Sequence, residues 1–203
     1  MSTTERAADA PDMPAHVEDP YEERHFGFWL YLMSDAIIFA LLFATYAVMM
    51  NNTAGGPSGE QLFSIPRAAA ETAALLFSTF TMALAMIGVY AGKKRVAVFW
   101  LVVTGVLGAI FLFLEIGEFR ELVEKGAGPD RSGFLSSFFA LVGTHGLHVT
   151  AGIVWLVVML VQIGVKGLTP PVESRLFRLA LFWHFLDIVW IGIFSFVYLA
   201  GAA

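Results

Sequence analysis

Apolar residues in this chain gather into five runs separated by short polar pieces. A run of about 20 such residues crosses a hydrocarbon core about 30 Å thick as one helix. The pattern predicts spans over about 26–50, 68–91, 96–117, 134–165 and 177–199. The expected fold is therefore an all-α integral membrane protein. It is a bundle of five transmembrane helices, forming a single domain over residues 26–203.

The polar pieces fit that division. Asn51, Asn52, Gly55, Gly56, Pro57 and Gly59 crowd the stretch after the first run and predict a loop. Gly92-Lys93-Lys94-Arg95 makes a short basic turn. The third run becomes polar without a breaker, so its helix is expected to continue through Glu118, Glu121, Glu124 and Lys125. Glu121 and Lys125 stand at i, i+4 spacing, and Gly126-Ala127-Gly128-Pro129 ends the helix. No repeat of fixed period occurs, and an odd number of spans argues against a simple tandem or inverted duplication. Gly105 and Gly108 in the third span, and Gly143, Gly146 and Gly152 in the fourth, allow close helix approach.

Composition agrees and sharpens the ends. The chain is 58% hydrophobic, with mean hydropathy +0.73, against about 45–50% apolar content in soluble domains. The net charge of −5 resides in residues 1–25, where Glu5, Asp9, Asp12, Glu18, Asp19, Glu22 and Glu23 outweigh Arg6 and Arg24. This proline-containing segment reads as a disordered acidic cytoplasmic tail, too hydrophilic for a signal peptide. The first span then doubles as the insertion signal. Orientation follows from the cations. A cytoplasmic N-terminus leaves Arg6, Arg24, Lys93, Lys94, Arg95, Lys166, Arg175 and Arg178 inside, with Arg67, Arg120, Lys125 and Arg131 outside. The C-terminus is then periplasmic. No basic cluster suits nucleic acid, and the absence of cysteine excludes disulfides, thiolate chemistry and cysteine-ligated iron–sulfur clusters.

Ionisable groups inside the spans carry the functional question, because each is costly at membrane depth. His145 and His148 share a face of the fourth span, at i, i+3 within Gly143-Thr144-His145-Gly146-Leu147-His148. They lie roughly 12–17 Å deep at 1.5 Å per residue, near the midplane. His184 and Asp187 have the same spacing on the fifth span, and Asp35 lies about 13 Å into the first. Three readings compete for these groups. Histidines from two spans can ligate a metal or haem. Carboxylates and imidazoles can relay protons. The plainest reading is an interhelical clasp, with His145, His148, Thr144 and Thr150 bonding to Asp187, His184 or backbone carbonyls. Glu71, Glu115 and Glu118 fall near the outer ends of their spans. Solvation at the interface is the expectation for them, with pairing of Glu115 and Glu118 to Arg120, Arg131 or a partner subunit as the alternative. Trp155 and Trp190 lie too deep for interfacial anchors and are expected to pack. Lys93-Lys94-Arg95 serves as a topology determinant. No nucleophile–base set, phosphate-binding glycine loop or zinc spacing is present, so neither a catalytic nor a metal site is assigned.

Four stretches carry a resemblance. HFGFWLYLMSD (residues 25–35), NTAGGPSG (52–59), GPDRSGFLSSFFALVGTHGLHVTAG (128–152) and FWHFLDIVWIGIFSFVYL (182–199) together reach from the first span to the last. They resemble subunit III of the haem–copper terminal oxidases, most closely the quinol-oxidising cytochrome bo type. HGLHV and WHFxDxVW are specific to that family, and the glycine-rich first loop and GPDRSG point to its quinol-oxidising branch. The resemblance implies a non-catalytic subunit of a proton-pumping quinol:oxygen oxidoreductase in a bacterial cytoplasmic membrane. It would support the assembly, stability and proton uptake of subunit I. The same resemblance implies that the haems and copper belong to subunit I and no redox cofactor to this chain, and that phospholipid would sit in a cleft between its helices. Subunits I, II and IV are the implied partners. The family's carbodiimide-reactive carboxylate, usually in a Ser-Glu pair, matches Ser34-Asp35, shortened by one methylene. Larger members have seven helices, and five corresponds to the form without the first two. The rival functions are subunit III of a cytochrome c oxidase and, from another class, a stand-alone proton-coupled transporter using Asp35, Asp187 and the histidines.

Overall fold

The computed structural model describes residues 22–201. The expected tail therefore lies, up to residue 21, outside the described residues. Glu22 to His25 already belong to the first helix, α1, Glu22–Met49. A single turn, α2 (Gly59–Leu62), interrupts the following loop. Three more long helices follow: α3, Ile65–Tyr90; α4, Lys94–Glu124; and α5, Gly133–Lys166. The last is α6, Pro170–Ile193, which runs on as a π-helical segment over Phe194–Leu199. Among the described residues, five helices are long and apolar enough to cross a membrane.

Local chemistry sets the boundaries. Ser132 caps α5, its side chain accepting a hydrogen bond from the Leu135 amide at 3.2 Å. Proline occupies the first turns of α3 and α6, where its missing N–H costs nothing. At the α3–α4 turn, Gly92 adopts φ +65°. Lys93 N–H then reaches Gly88 O and Gly92 N–H reaches Val89 O, the paired closure that a left-handed residue permits. Gly126 ends α4 in the same way, its N–H reaching Val123 O and the Ala127 N–H reaching Leu122 O. The helix α6 starts at Pro170, seven residues ahead of the expected span. Its first two turns, with Glu173, Ser174, Arg175 and Arg178, are too polar for an apolar run yet remain helical.

Helices α3, α4, α5 and α6 close a ring, each packing on the next and α6 returning to α3. The first helix, α1, lies outside this ring against α5 and α6. At the ring's centre stands Trp183 of α6. Its indole N–H donates to Ser78 Oγ of α3 at 2.9 Å. Its ring fills the space that a Cβ at Gly108 of α4 would take, 2.9 Å away, and borders Gly152 of α5. One side chain thus touches three neighbouring helices. Close approach through small residues is the role expected of these glycines.

Candidate functional site

Intramembrane polar groups fall into three separate places. The first joins α1 to α5. His148 Nε2 stands 3.8 Å from Asp35 Oδ2, and His148 Nδ1 is 2.8 Å from Thr144 O of its own helix. Phe39, one turn along α1 from Asp35, lies tilted against the His148 ring. Thr150 likewise bonds within α5, to Gly146 O. Of the partners expected, only backbone carbonyls are met, and those within α5 itself; the contact across helices is to Asp35 of α1, not to Asp187 or His184. The reason is the seat of α1 across α5, which turns His148 outward from the ring toward Asp35.

His145 points the other way. It is fully buried among the rings of Phe39, Phe111 and Trp190, and neither ring nitrogen has a protein partner. His184 and Asp187 form the second place, on the α3 side of α6. Asp187 adjoins Thr79, while His184 borders an open groove between α3 and α6 with Tyr90 and Phe177. Asp35, His145, His148, His184 and Asp187 thus do not converge on one centre. Among the described residues, no three His, Asp or Glu side chains are placed to hold a metal ion.

The third place corrects an expectation. Glu71, Glu115 and Glu118 are not solvated interfacial acids: they are 0%, 2% and 3% exposed. Glu115 and Glu118 lie one turn apart on α4, and Glu71 faces them from α3, close enough for their charges to act on one another. Tyr198, in the π-helical segment, donates its hydroxyl to Glu118 Oε2 at 2.8 Å. Both oxygens of Glu71 and of Glu115 lack a protein donor. Gly146 of α5 makes room for Glu115, whose Oε1 lies 2.5 Å from the position a Cβ would occupy. The alternative pairing with Arg120 or Arg131 does not occur among the described residues either. Arg67 of α3 instead bonds Glu121 at 2.7 Å, and Lys125 shares that carboxylate.

The π segment explains how Tyr198 arrives. A helical face returns about every seven residues, so Trp183 and Trp190 share an inward stripe. Each donates its indole N–H to an α3 hydroxyl, Ser78 and Thr72. Val197 would be next in that stripe. The wider π turn brings Val197 and Tyr198 inward together, both fully buried. Tyr198 and Gly146 were not singled out for this role by pattern alone. The signal that existed was the i, i+3 spacing of Glu115 and Glu118, with Glu71 almost equally far from the Gly92-Lys93 turn on the other arm.

Comparisons with known proteins cover the whole bundle. Residues 13–202 match the family described as cytochrome c oxidase subunit III. The chain is 54% identical over 187 residues to cytochrome bo(3) ubiquinol oxidase subunit 3 of Pseudomonas aeruginosa, spanning 92% of this chain and 90% of that one. It is 55% identical over 175 residues to the Pseudomonas putida protein of the same name, 86% and 84% of the two chains. Quinol oxidase subunit 3 of Bacillus subtilis is 45% identical over 175 residues, 86% of each chain.

Proposed function

Because this chain belongs to the cytochrome c oxidase subunit III family, we propose that it serves as subunit III of a cytochrome bo(3)-type quinol oxidase. It is a multi-pass membrane component of an oxidoreductase complex of respiration. The observation that carries this reading is its 54% identity, over nine tenths of both chains, to a ubiquinol oxidase subunit 3. The family description alone fits either electron donor. The relatives' printed names favour quinol.

The chain's own part is structural. It catalyses no step itself and stabilises the assembly and proton uptake of subunit I, which holds the haems and copper. Subunits II and IV and bound phospholipid complete its surroundings, in a bacterial cytoplasmic membrane with the N-terminus inside. Asp35 meets His148, and Asp187 lies apart beside Thr79; this division supports the structural role over a transporter's central relay. Purification of the tagged chain in mild detergent tests it. Recovery with haem absorbance, larger partners and quinol-dependent oxygen uptake is expected. Recovery alone, without haem, overturns the reading; oxygen uptake driven only by cytochrome c overturns the choice of donor.

A further inference from the structure

Three carboxyl groups share one buried layer in this bundle, and few donors reach them. Tyr198 serves one oxygen of Glu118. Glu71 and Glu115, 0% and 2% exposed and aimed into the layer, have no protein donor for any of their four oxygens. The cations nearby are already engaged, Arg67 and Lys125 both binding Glu121 at 2.7 Å. A carboxylate buried without a donor is far costlier than the neutral acid, and neighbouring carboxylates cannot all ionise together. The layer must hold protons.

It is not sealed. A polar pocket of about 90 Å³, walled by Ser64, Arg67, Glu121 and Lys125, reaches Glu118. A water occupies about 30 Å³ in the liquid, so the pocket has room for a short water file between Glu118 and solvent. The groups facing the layer are Arg67 from α3, Glu121 and Lys125 from α4 and Tyr198 from the end of α6, while His145, next to Gly146 on α5, lies against the Phe111 and Trp190 rings.

We propose that Glu71, Glu115 and Glu118 form a proton-binding site, loaded and unloaded through the pocket between Arg67, Glu121 and Lys125. On loading, a hydronium in the pocket transfers its proton to the Glu118 carboxylate, leaving water and a neutral carboxyl. Unloading reverses that transfer. Exchange between Glu118 and Glu115 or Glu71 moves one proton from a carboxyl to a carboxylate and leaves the charge of the layer unchanged. Tyr198 holds Glu118 at the pocket's base through its hydroxyl, and the empty side of Gly146 gives Glu115 its place. The site concerns this chain's own groups and does not depend on which electron donor the complex uses.

Infrared difference spectroscopy tests the proposal on the full-length chain with its co-purifying subunits in lipid nanodiscs, glutamate carboxyls labelled with carbon-13. A carbonyl stretch of protonated glutamate is expected, responding to bulk pH and shifting in D₂O within the mixing period. Glu71→Gln and Glu115→Gln should each remove part of it, and the triple glutamine variant the assigned part entirely. Ser64→Phe, at the pocket wall, should delay the D₂O shift without removing the band. Where the glutamine variants fail to assemble, Tyr198→Phe keeps all three acids and should move the carbonyl frequency. No protonated glutamate band, a band blind to pH and D₂O, or one unmoved by Tyr198→Phe and by the glutamine variants would each overturn the site.

Discussion

Gly146 of α5 has no side chain at the point where Glu115 of α4 places its carboxyl group. A Cβ there would lie 2.5 Å from Oε1 and 2.9 Å from the carboxyl carbon, closer than atoms tolerate. The glycine in the histidine motif thus answers to a residue on another helix. Gly146→Ala should destabilise the subunit by about 1–3 kcal/mol, the usual range for overpacking. Glu115→Ala should restore much of that loss in the double variant, because the two changes share one space. A thermal-shift double-mutant cycle on the assembled complex measures it; strict additivity would mean that the two residues do not compete.

Trp183 makes a similar demand on α4. A Cβ at Gly108 would meet its ring at 2.9 Å, whereas one at Gly105 meets only a Leu156 methyl at 3.3 Å. Gly108→Ala should therefore cost about 1–3 kcal/mol. Gly105→Ala should cost less than about 1 kcal/mol, since a leucine methyl can yield and alanine favours the helix. Equal melting temperatures for the two variants would contradict the close packing around Trp183.

Two tyrosines offer an internal comparison. Tyr198 bonds Glu118 in the interior, while the buried Tyr46 hydroxyl has no protein partner. Tyr198→Phe should cost about 1–3 kcal/mol by stranding an acid. Tyr46→Phe removes an unmet polar group and should be neutral or stabilising by up to about 1 kcal/mol. Chemical denaturation of the two variants side by side reads the difference in sign.

The α1–α5 contact gives a retention test. Asp35→Asn keeps the shape of the side chain facing His148, so oxidase turnover should stay measurable while subunit yield or durability changes. His148→Ala should mainly lower the amount of this chain that co-purifies with its partners. Full loss of turnover in an assembled, haem-replete Asp35→Asn complex would instead make Asp35 an obligatory proton carrier. Altered haem spectra with normal retention would do the same damage to the clasp at His148.

Five spans could be read directly from the sequence because hydropathy along a chain is a one-dimensional property, and helix length in lipid follows from it. The glycine stop after α4 was equally plain. The start of α6 was not, because Glu173, Arg175 and Arg178 interrupt the apolar pattern without interrupting the helix. Asp35 and His148 were both visible, yet their partnership depends on the rotation of α1 against α5, which spacing within one helix does not supply. The buried acids were harder still. An interfacial glutamate and an enclosed one look alike until the π turn brings Tyr198 inward and Gly146 withdraws a side chain.

The seat of α1 also runs against the order of synthesis. This helix leaves the ribosome well before α5 and α6, the helices whose surfaces it rests on. Throughout that interval Asp35 has no His148 to face, and Phe39 no aromatic neighbours from α5 or α6. The α1 helix must therefore wait in the bilayer for α5 and α6. A ribosome stalled before α5 would leave in the membrane an acid-bearing helix with no docking place, the form of the protein most exposed to quality control.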